Sequence, residues 1–343
     1  MNKIKLTFLF LIVLFSEVSA QENLIINTYN RTTKSLNGQW KYIVDPYENG
    51  FYNYRYEPFE NQQNPGNGAF FINAKPKDKS DLVEYDFDLS DSIAVPSDWN
   101  LQKENLYYYE GTVWYKKSFD YVKTSQNNRV FVYFEAVNYE ADVYFNGKKL
   151  GKHIGGFTPF NFEVTHLLKE SGNFLVVKVD NKRKKEAVPT LNTDWFNYGG
   201  ITRDVKLVET SANFIQDYFV QLNPTNNQQI KGFVKLNGKE ISEKEILVTI
   251  PALKMKAKVI TNKEGIASIE FNSKRINYWS TTNPYLYDVV FTVNGNELKD
   301  QIGFRTIKTA GQEIHLNDQK IFLKGISIHE ESPIRGGRGY SVE

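Results

Sequence analysis

The chain has 343 residues, enough for two or three domains of roughly 100–200 residues each. Lys and Arg number 42 against 40 Asp and Glu, so the net charge of +2 offers no basic surplus for phosphate backbones and argues against nucleic acid as a partner. Cysteine is absent, which excludes disulfides, thiolate metal sites and cysteine nucleophiles. The four histidines lack metal-ligand spacing, so no metal site is predicted.

The first twenty residues have the organisation of an export signal. Lys3 and Lys5 precede an apolar run over 6–15, and the small residues around Ala20 suit cleavage before Gln21. A membrane anchor would need about 20 apolar residues, and no later run reaches that length. The sequence therefore predicts a secreted or periplasmic protein, with its signal peptide over 1–20 and no membrane span.

After the signal, the hydrophobic pattern has a period of two, which is typical of strands. Strands are predicted over 129–135, 141–145, 174–179, 246–250, 256–260 and 288–293, and Asn146-Gly147 is a strong hairpin signal. A short helix is weighed for 165–170. The stretch 47–69, rich in Asn, Gln, Tyr and Pro, is predicted to be a long surface loop.

The aromatic content of 15% also favours strands over helices. We therefore predict an all-β fold, and the length fits two consecutive sandwiches better than one. Polar residues near 210–213 follow a strand that ends at Val208, and they mark the boundary between the two.

Nine short segments, in this order, carry a family resemblance. They are LNGQW (36–40), VPSDWN (95–100), YEGTVWY (109–115), VYFNGKKLG (143–151), GGFTPF (155–160), DWFNYGGITR (194–203), NPYLY (283–287), GFRT (303–306) and LKGISIHEE (323–331). Each is weak alone, but together they resemble glycoside hydrolase family 2, which includes bacterial β-galactosidases, β-glucuronidases and β-mannosidases.

The resemblance implies three domains after the signal. They are a jelly-roll sugar-binding domain over 21–210, an immunoglobulin-like sandwich over 211–309 and, from 310, the first strand of a catalytic (β/α)8 barrel. A barrel needs about 250 residues, whereas 310–343 holds 34. In this family both catalytic carboxylates come from later barrel strands. We therefore expect the acid/base and the nucleophile to lie beyond residue 343 and this chain to be inactive alone.

Other residues in the chain do not replace that pair. Glu330 and Glu331 are adjacent, so on a strand their side chains would point to opposite faces. Asp142, Glu163 and Glu186 are interpreted as solvated surface carboxylates. The basic run 182–185 is either a docking patch for an acidic polysaccharide or, by default, a solvated loop. Arg203 and Arg305 match family positions that are interpreted as structural.

Four residues are candidates for contact with a sugar. The resemblance implies that Asp194 reaches the active site and binds a hydroxyl of the terminal sugar, a task that suits the two acceptor oxygens of a carboxylate. The alternative for Asp194 is an Asx turn. His329 matches a sugar-contacting histidine of the first barrel strand, but without its barrel it is expected to be exposed and idle. Trp195 and Tyr198 either stack on a sugar or are buried aromatic side chains.

The resemblance implies an exo-β-glycosidase that works by double displacement on β-linked oligosaccharide or polysaccharide ends, without a redox cofactor. The segments at 197–201, 329–331 and 335–339 favour a β-glucuronidase-like member over a β-galactosidase-like one. Two other functions stay open, a non-catalytic carbohydrate-binding module and an assembly role. The partner would then be a second copy in a homo-oligomer or a separate chain that carries the barrel.

Overall fold

A computed structural model describes residues 24–75, 78, 80, 85–193, 195–329, 331 and 338–339. The predicted export signal over 1–20 and the candidate Asp194 lie outside these residues. The described part contains strands and short 3-10 helices, with no α-helix. None of its helices has the length and apolar character needed to cross a bilayer.

The first sandwich contains twelve strands. They are β1 (Thr32–Ser35), β2 (Gly38–Val44), β3 (Ser92–Val95), β4 (Thr112–Phe119), β5 (Arg129–Phe134), β6 (Val137–Asn138), β7 (Glu140–Phe145), β8 (Lys148–Ile154), β9 (Phe160–Glu163), β10 (Asn173–Asp180), β11 (Gly200–Ile201) and β12 (Val205–Thr210). Its 3-10 helices are Thr28–Asn30, Phe59–Asn61, Gly66–Gly68, Phe70–Ile72 and Glu104–Leu106.

Two antiparallel sheets form this sandwich, with strand orders β1-β12-β5-β9 and β3-β2-β4-β10-β7-β8, and β6 pairs with β11 beside them. Alternate side chains from both sheets meet in one apolar core, which includes Trp40, Tyr115, Val132, Phe145 and Leu207. The period-two pattern produces this arrangement because successive side chains of a strand point to opposite faces.

Residues 45–75 form an irregular segment that is mostly exposed or half-buried, in agreement with the surface loop predicted for 47–69, but part of the segment packs on the first sandwich. Phe51, Phe70 and Phe71 are buried against Trp114 and Tyr144 on the outer face of the six-stranded sheet. We call residues 45–75 the outer layer. The sequence did not predict this packing because the segment has no regular period, although its aromatic side chains suffice to cover an apolar sheet face.

The second sandwich and the strands after it make up the rest of the fold. The strands are β13 (Phe214–Asn223), β14 (Asn226–Asn237), β15 (Glu245–Ile250), β16 (Met255–Ile260), β17 (Ile266–Asn272), β18 (Tyr287–Val293), β19 (Asn296–Ile302), β20 (Ile307–Ala310), β21 (Glu313–Leu316) and β22 (Gln319–Ile321), with a 3-10 helix at Pro251–Leu253. Sheets β13-β14-β17 and β16-β15-β18-β19 enclose a second apolar core around Val248 and Phe291.

The all-β prediction of two consecutive sandwiches is confirmed, and each predicted strand overlaps an observed one. The helix weighed for 165–170 is wrong: the backbone there makes turns, in which Leu167 and Leu168 donate to the carbonyl of Val164.

Two contacts join the sandwiches. Residues 24–31 run between them, where Ile25 packs with Phe131 and Phe214. The Arg129 guanidinium donates to Asn237 Oδ1 at 2.6 Å while also pairing with Glu163. The first and second sandwiches therefore share buried surface as well as polar contacts.

Strands β20, β21 and β22 form a small antiparallel sheet after the second sandwich. Residues 322–329, expected to be a barrel strand, are assigned to no strand, and Phe322, Leu323, Ile326 and Ile328 are exposed. A strand requires a hydrogen-bonded neighbour, and no segment of the described chain pairs with these residues.

Candidate functional site

A cavity of about 230 Å³ lies where Pro189 and residues 195–198 meet Ile328, His329, Glu331 and Arg338, next to the β6–β11 pair. Its wall includes Asn138, Phe157, Trp195, Tyr198 and His329. These residues come from distant parts of the sequence. Three of the four predicted sugar-contacting residues therefore lie in one cavity, and the fourth, Asp194, precedes Trp195 in the chain but is outside the described residues.

Trp195 and His329 lie side by side in the wall of the cavity. Their ring centroids are 6.3 Å apart with an interplanar angle of 78°, an edge-to-face arrangement. The Trp195 side chain is 39% exposed, and His329 is exposed as well. Both side chains are thus accessible to a ligand. The expectation that His329 would be exposed agrees with the structure, but it is not isolated, because Trp195 lies beside it.

Tyr198 belongs to a row of aromatic side chains that leads out of the cavity. Its ring lies 4.8 Å from that of Phe196, and Phe196 in turn lies 5.3 Å from Tyr107. Tyr198 is half-buried, which combines the two alternatives of the sequence analysis: its ring packs on a neighbour and still lines the cavity.

Amide groups hold the loop that carries Tyr198. Asn138 Nδ2 donates to the Tyr198 carbonyl at 2.6 Å, and Asn181 and Asn197 exchange side-chain to backbone hydrogen bonds of 3.0 and 2.6 Å. Gly199 follows in tight contact, since an added Cβ would lie 2.2 Å from the Trp99 ring. A glycine is required there because no larger residue fits between the loop and Trp99.

Arg338 supplies positive charge to the wall. Its guanidinium lies 4.0 Å from the centroid of the Phe157 ring, and its backbone N–H donates to Asp98 at 3.3 Å. Burial lowers the pKa of Arg338 to about 10, so the side chain stays charged at neutral pH. Burial also raises the pKa of Asp98, although hydrogen bonds from backbone N–H groups oppose that effect.

Sequence reasoning missed Arg338, Asn138 and Phe157 as members of the site. Arg338 was considered there solely as part of the segment 335–339. Phe157 stands in the quoted segment 155–160, which was a usable signal. Nothing local distinguishes Asn138, because its role depends on a backbone 60 residues further along the chain.

Among the described residues of the cavity wall, Glu331 is the one carboxylate. Glu186 is exposed as predicted, whereas the interpretation of Asp142 as a solvated carboxylate is wrong. Asp142 is 5% exposed and lies 3.2 Å from Lys149 Nζ, on a strand inside the six-stranded sheet. Glu163 is partly buried and bound by Arg129. Both carboxylates thus lie beside a cation, as buried charged groups usually do.

The basic run 182–185 is largely neutralised. Lys182 lies 3.8 Å from Glu48, Arg183 pairs with Glu110 at 2.8 Å, and Lys184 pairs with Glu140. This favours the interpretation as a loop over the docking patch. Arg305 stacks on Trp279 and donates to the Gly303 carbonyl. The described residues contain no group of three or more His, Asp or Glu placed to hold a metal ion.

Comparison with known proteins extends over both sandwiches. Residues 33–211 match the family model described as glycosyl hydrolases family 2, sugar binding domain, and residues 213–305 match the one described as glycosyl hydrolases family 2. A putative β-glucuronidase of Formosa agariphila is 29% identical over 257 residues, which cover 70% of this chain and 31% of the relative.

Two further curated relatives carry different names. A β-galactosidase of Thermoanaerobacter pseudethanolicus is 29% identical over 286 residues, covering 76% of this chain and 38% of its own length. A β-glucuronidase of Paenibacillus borealis is 26% identical over 341 residues, covering 90% and 51%. The chain thus spans about half or less of the length of these relatives.

Solved structures share the fold. The chain aligns with a Bifidobacterium dentium β-glucuronidase in complex with coumarin-3-O-glucuronide with a TM-score of 0.73 and 23% identity, covering 91% of this chain and 54% of that one. The first family model alone covers more than half of the 343 residues. The chain therefore belongs to family 2 of the glycosyl hydrolases.

Proposed function

We propose that this chain is the sugar-binding and immunoglobulin-like part of an exported exo-β-glycosidase, and that the cavity beside Trp195 holds the terminal sugar of its substrate. The domain limits proposed are those from the sequence, 21–210 and 211–309, with a barrel domain opening at 310. The observation that carries the proposal is the convergence of Trp195 and His329, distant in sequence, in one cavity of a sugar-hydrolase family member.

Each residue has a proposed task. The Trp195 ring packs against the C–H face of the sugar, as aromatic side chains do at amphipathic ligands. His329 and the Tyr198 hydroxyl exchange hydrogen bonds with ring hydroxyls. Asp194, proposed from the family resemblance, accepts hydrogen bonds from two hydroxyls at once. All four tasks are binding tasks.

The reaction of the whole protein would be retaining hydrolysis. Double displacement needs an acid/base and a nucleophile carboxylate about 5–5.5 Å apart. In this proposal both carboxylates come from the barrel domain, and the wall that contains Glu331 positions the sugar. No redox cofactor takes part in this proposal.

The sugar is proposed to be a β-glucuronide. Arg338 places a cation at the cavity wall, and a guanidinium pairs well with a carboxylate such as that of a uronic acid. A β-galactoside lacks that charge. The relatives named β-glucuronidase are in line with this choice, and those named β-galactosidase define the alternative that the experiment addresses.

The test is a binding titration of the intact chain by ligand-observed NMR. The probes are methyl β-D-glucuronide and methyl β-D-galactoside. We expect the glucuronide to bind more tightly, and we expect Trp195→Ala and His329→Ala each to weaken binding about fivefold or more. His315→Ala is the matched control, because His315 lies on β21 and bonds to Glu313, away from the cavity.

Three results would argue against the proposal. Equal affinities of the His329→Ala and His315→Ala variants for the sugar probes would show that the cavity takes no part in sugar recognition. Tighter binding of the galactoside would favour the β-galactosidase-like alternative. Absence of binding by either probe would contradict a sugar site formed by these residues.

A further inference from the structure

A second concave surface lies in the outer layer and shares no lining residue with the cavity beside Trp195. It has a volume of about 760 Å³, within the roughly 300–1,000 Å³ typical of ligand sites. Its lining residues are Tyr47, Asn49, Tyr52, Asn53, Tyr54, Tyr56, Phe59, Gln62 and Gly68. We call this surface the tyrosine groove.

The tyrosine rings of the groove are unusually open to solvent. Tyr54 is 85% exposed, and Tyr47 and Tyr56 are 77% and 78% exposed. Tyr52 and Tyr56 lie with ring centroids 5.7 Å apart and an interplanar angle of 33°, so the rings form walls of different inclination. A cluster of large aromatic rings that are exposed rather than buried indicates a ligand-binding surface.

The backbone at Tyr56 supports the same conclusion. Its φ of 60° lies in the left-handed region, which a bulky side chain rarely adopts because of steric strain. The Tyr56 ring is exposed, so there is no burial in the core that could offset that strain. Asn would tolerate this conformation better, yet the chain has tyrosine at the position.

The groove is held in a fixed shape. In the turn 53–57, the Asn53 side-chain oxygen accepts hydrogen bonds from the N–H groups of Arg55 and Glu57 at 2.8 and 3.0 Å. Beneath the turn, Phe51 is buried against the sheet and contacts the Tyr52 ring edge-on at 4.7 Å. A ligand would therefore meet rings that are already positioned, which lowers the entropy cost of binding.

The chemistry of the lining limits the ligand. It consists of tyrosines, one phenylalanine, one glycine and three amides, and none of the nine residues is charged. Aromatic faces pack on the C–H faces of pyranose rings, while tyrosine hydroxyls and amides both donate to and accept from sugar hydroxyls. A nearby cation is the Arg55 guanidinium, which does not belong to the lining but lies 5.2 Å from the centroid of the Tyr54 ring, while the lining itself offers aromatic and neutral polar groups.

We propose that the tyrosine groove binds an uncharged stretch of a glycan chain, at a site separate from the cavity that holds the chain end. That the ligand is a glycan rests on the proposed function, whereas the position and neutrality of the groove do not. Holding an internal stretch raises the effective concentration of the same polymer's end at the cavity. The groove is thus a retention site for polymeric substrate.

The experiment is native affinity electrophoresis of the intact chain in gels that contain mixed-linkage β-glucan, galactomannan or xyloglucan. At least one of these polymers is expected to retard the chain. Tyr54→Ala and Tyr56→Asn are expected to weaken the apparent affinity about two- to tenfold each. Tyr29→Ala is the matched control, since Tyr29 is also 85% exposed but lies outside the groove.

Tyr56→Asn separates binding from folding. Because Asn tolerates a positive φ, the melting temperature of this variant is expected to be equal to or above that of the parent while its retardation falls. Added methyl β-D-glucuronide, a probe for the cavity, is expected to leave retardation unchanged. The groove is therefore assessed independently of the cavity beside Trp195.

Several outcomes would overturn the proposal. One is no retardation by any of the three polymers. Another is equal retardation of the parent, Tyr54→Ala and Tyr56→Asn. A third is a change in oligomeric state of Tyr54→Ala, measured by sedimentation, which would make a second copy of this chain the occupant of the groove.

Discussion

The two sandwiches have different interiors. The first encloses charged side chains, among them Asp45, Lys116, Asp142 and Glu209. In the second, over residues 214–305, all of which the structure describes, no Asp, Glu, Lys or Arg is buried. Both interiors are otherwise built from alternating apolar strands, so the difference calls for a physical reason.

The buried charges of the first sandwich hold irregular segments in place. Asp45 accepts hydrogen bonds from the N–H groups of Asn49 and Gly50 and from the Trp114 indole, at 2.8 to 2.9 Å. Glu209 accepts from Tyr121, Thr124 and Asn128. Such loops need partners for their backbone groups, and a buried carboxylate supplies several at once. The first sandwich thus carries shaped loops, and the second provides an apolar support.

Acidification is expected to produce the largest difference in stability between the two sandwiches. Burial raises the pKa of Glu209, but the hydrogen bonds it accepts outweigh burial and set the pKa below its ordinary value. The pKa of Asp88 falls to about 2, chiefly through the hydrogen bond from Lys116. A carboxylate with a lowered pKa in the folded state stabilises the protein above its unfolded pKa. That stability is lost as the pH falls through the folded value.

The first sandwich is therefore expected to lose stability from about pH 4.5 downward, before the second. Pepsin digestion near pH 3 with mass spectrometry would locate the cleavage. Peptides from 32–210 are expected to be released ahead of peptides from 214–305, and the reverse order would contradict the comparison.

The second largest effect is expected from a substitution in the apolar core of the second sandwich. Phe291 is fully buried, with its ring 4.6 Å from that of Tyr218. Phe291→Ala is expected to reduce the free energy of unfolding of the second sandwich by about 3–5 kcal/mol through lost burial and the cavity left behind. Urea denaturation measures this loss. Glycan retardation is expected to stay unchanged, and its loss would show that the outer layer depends on the second core.

Removing the Asp45 carboxylate probes the first sandwich. Asp45→Ala leaves three donors without their acceptor, and we expect a loss of about 2–4 kcal/mol together with weaker glycan retardation. Asp45→Asn keeps one carbonyl oxygen and is the graded control, with a smaller loss in both measurements. Normal retardation by Asp45→Ala would mean that the outer layer holds its shape without this anchor.

The smallest effect concerns the joint between the sandwiches. A double-mutant cycle of Arg129→Ala and Asn237→Ala is expected to give a coupling energy of about 0.5–1.5 kcal/mol, in the range of a partly buried hydrogen bond. Urea denaturation of the four proteins measures it. Additive losses would show that the sandwiches are coupled by the contacts of Phe131 and Phe214 instead.

Much of the fold could be predicted because its signals are local. Runs such as 129–135 alternate or are continuously apolar, and Asn146-Gly147 makes the hairpin between β7 and β8. The outer layer could not be predicted in this way. Its 3-10 turns have no period, and their aromatic side chains find their place against Trp114 and Tyr144, which lie on strands much later in the chain.

The candidate site was predicted in part. Trp195, Tyr198 and His329 were named from a family pattern, which records the outcome of folding without giving its geometry. Arg338 was missed because its place depends on Phe157 and Asp98, each more than a hundred residues away in sequence. Asp142 was interpreted as solvated because its partners Lys149 and Lys178 lie on other strands, β8 and β10, which flank β7 in the sheet.

The sequence by itself determined the all-β class, the succession of two sandwiches and the family. Alternation along a strand and short motifs are properties of residues that are neighbours in the sequence, so they can be recognised before the fold is known. The tertiary structure alone decided that Trp195 and His329 share a cavity, that charges lie inside one sandwich and that tyrosines line a groove. Those features depend on pairings between distant strands, whose register no local pattern specifies.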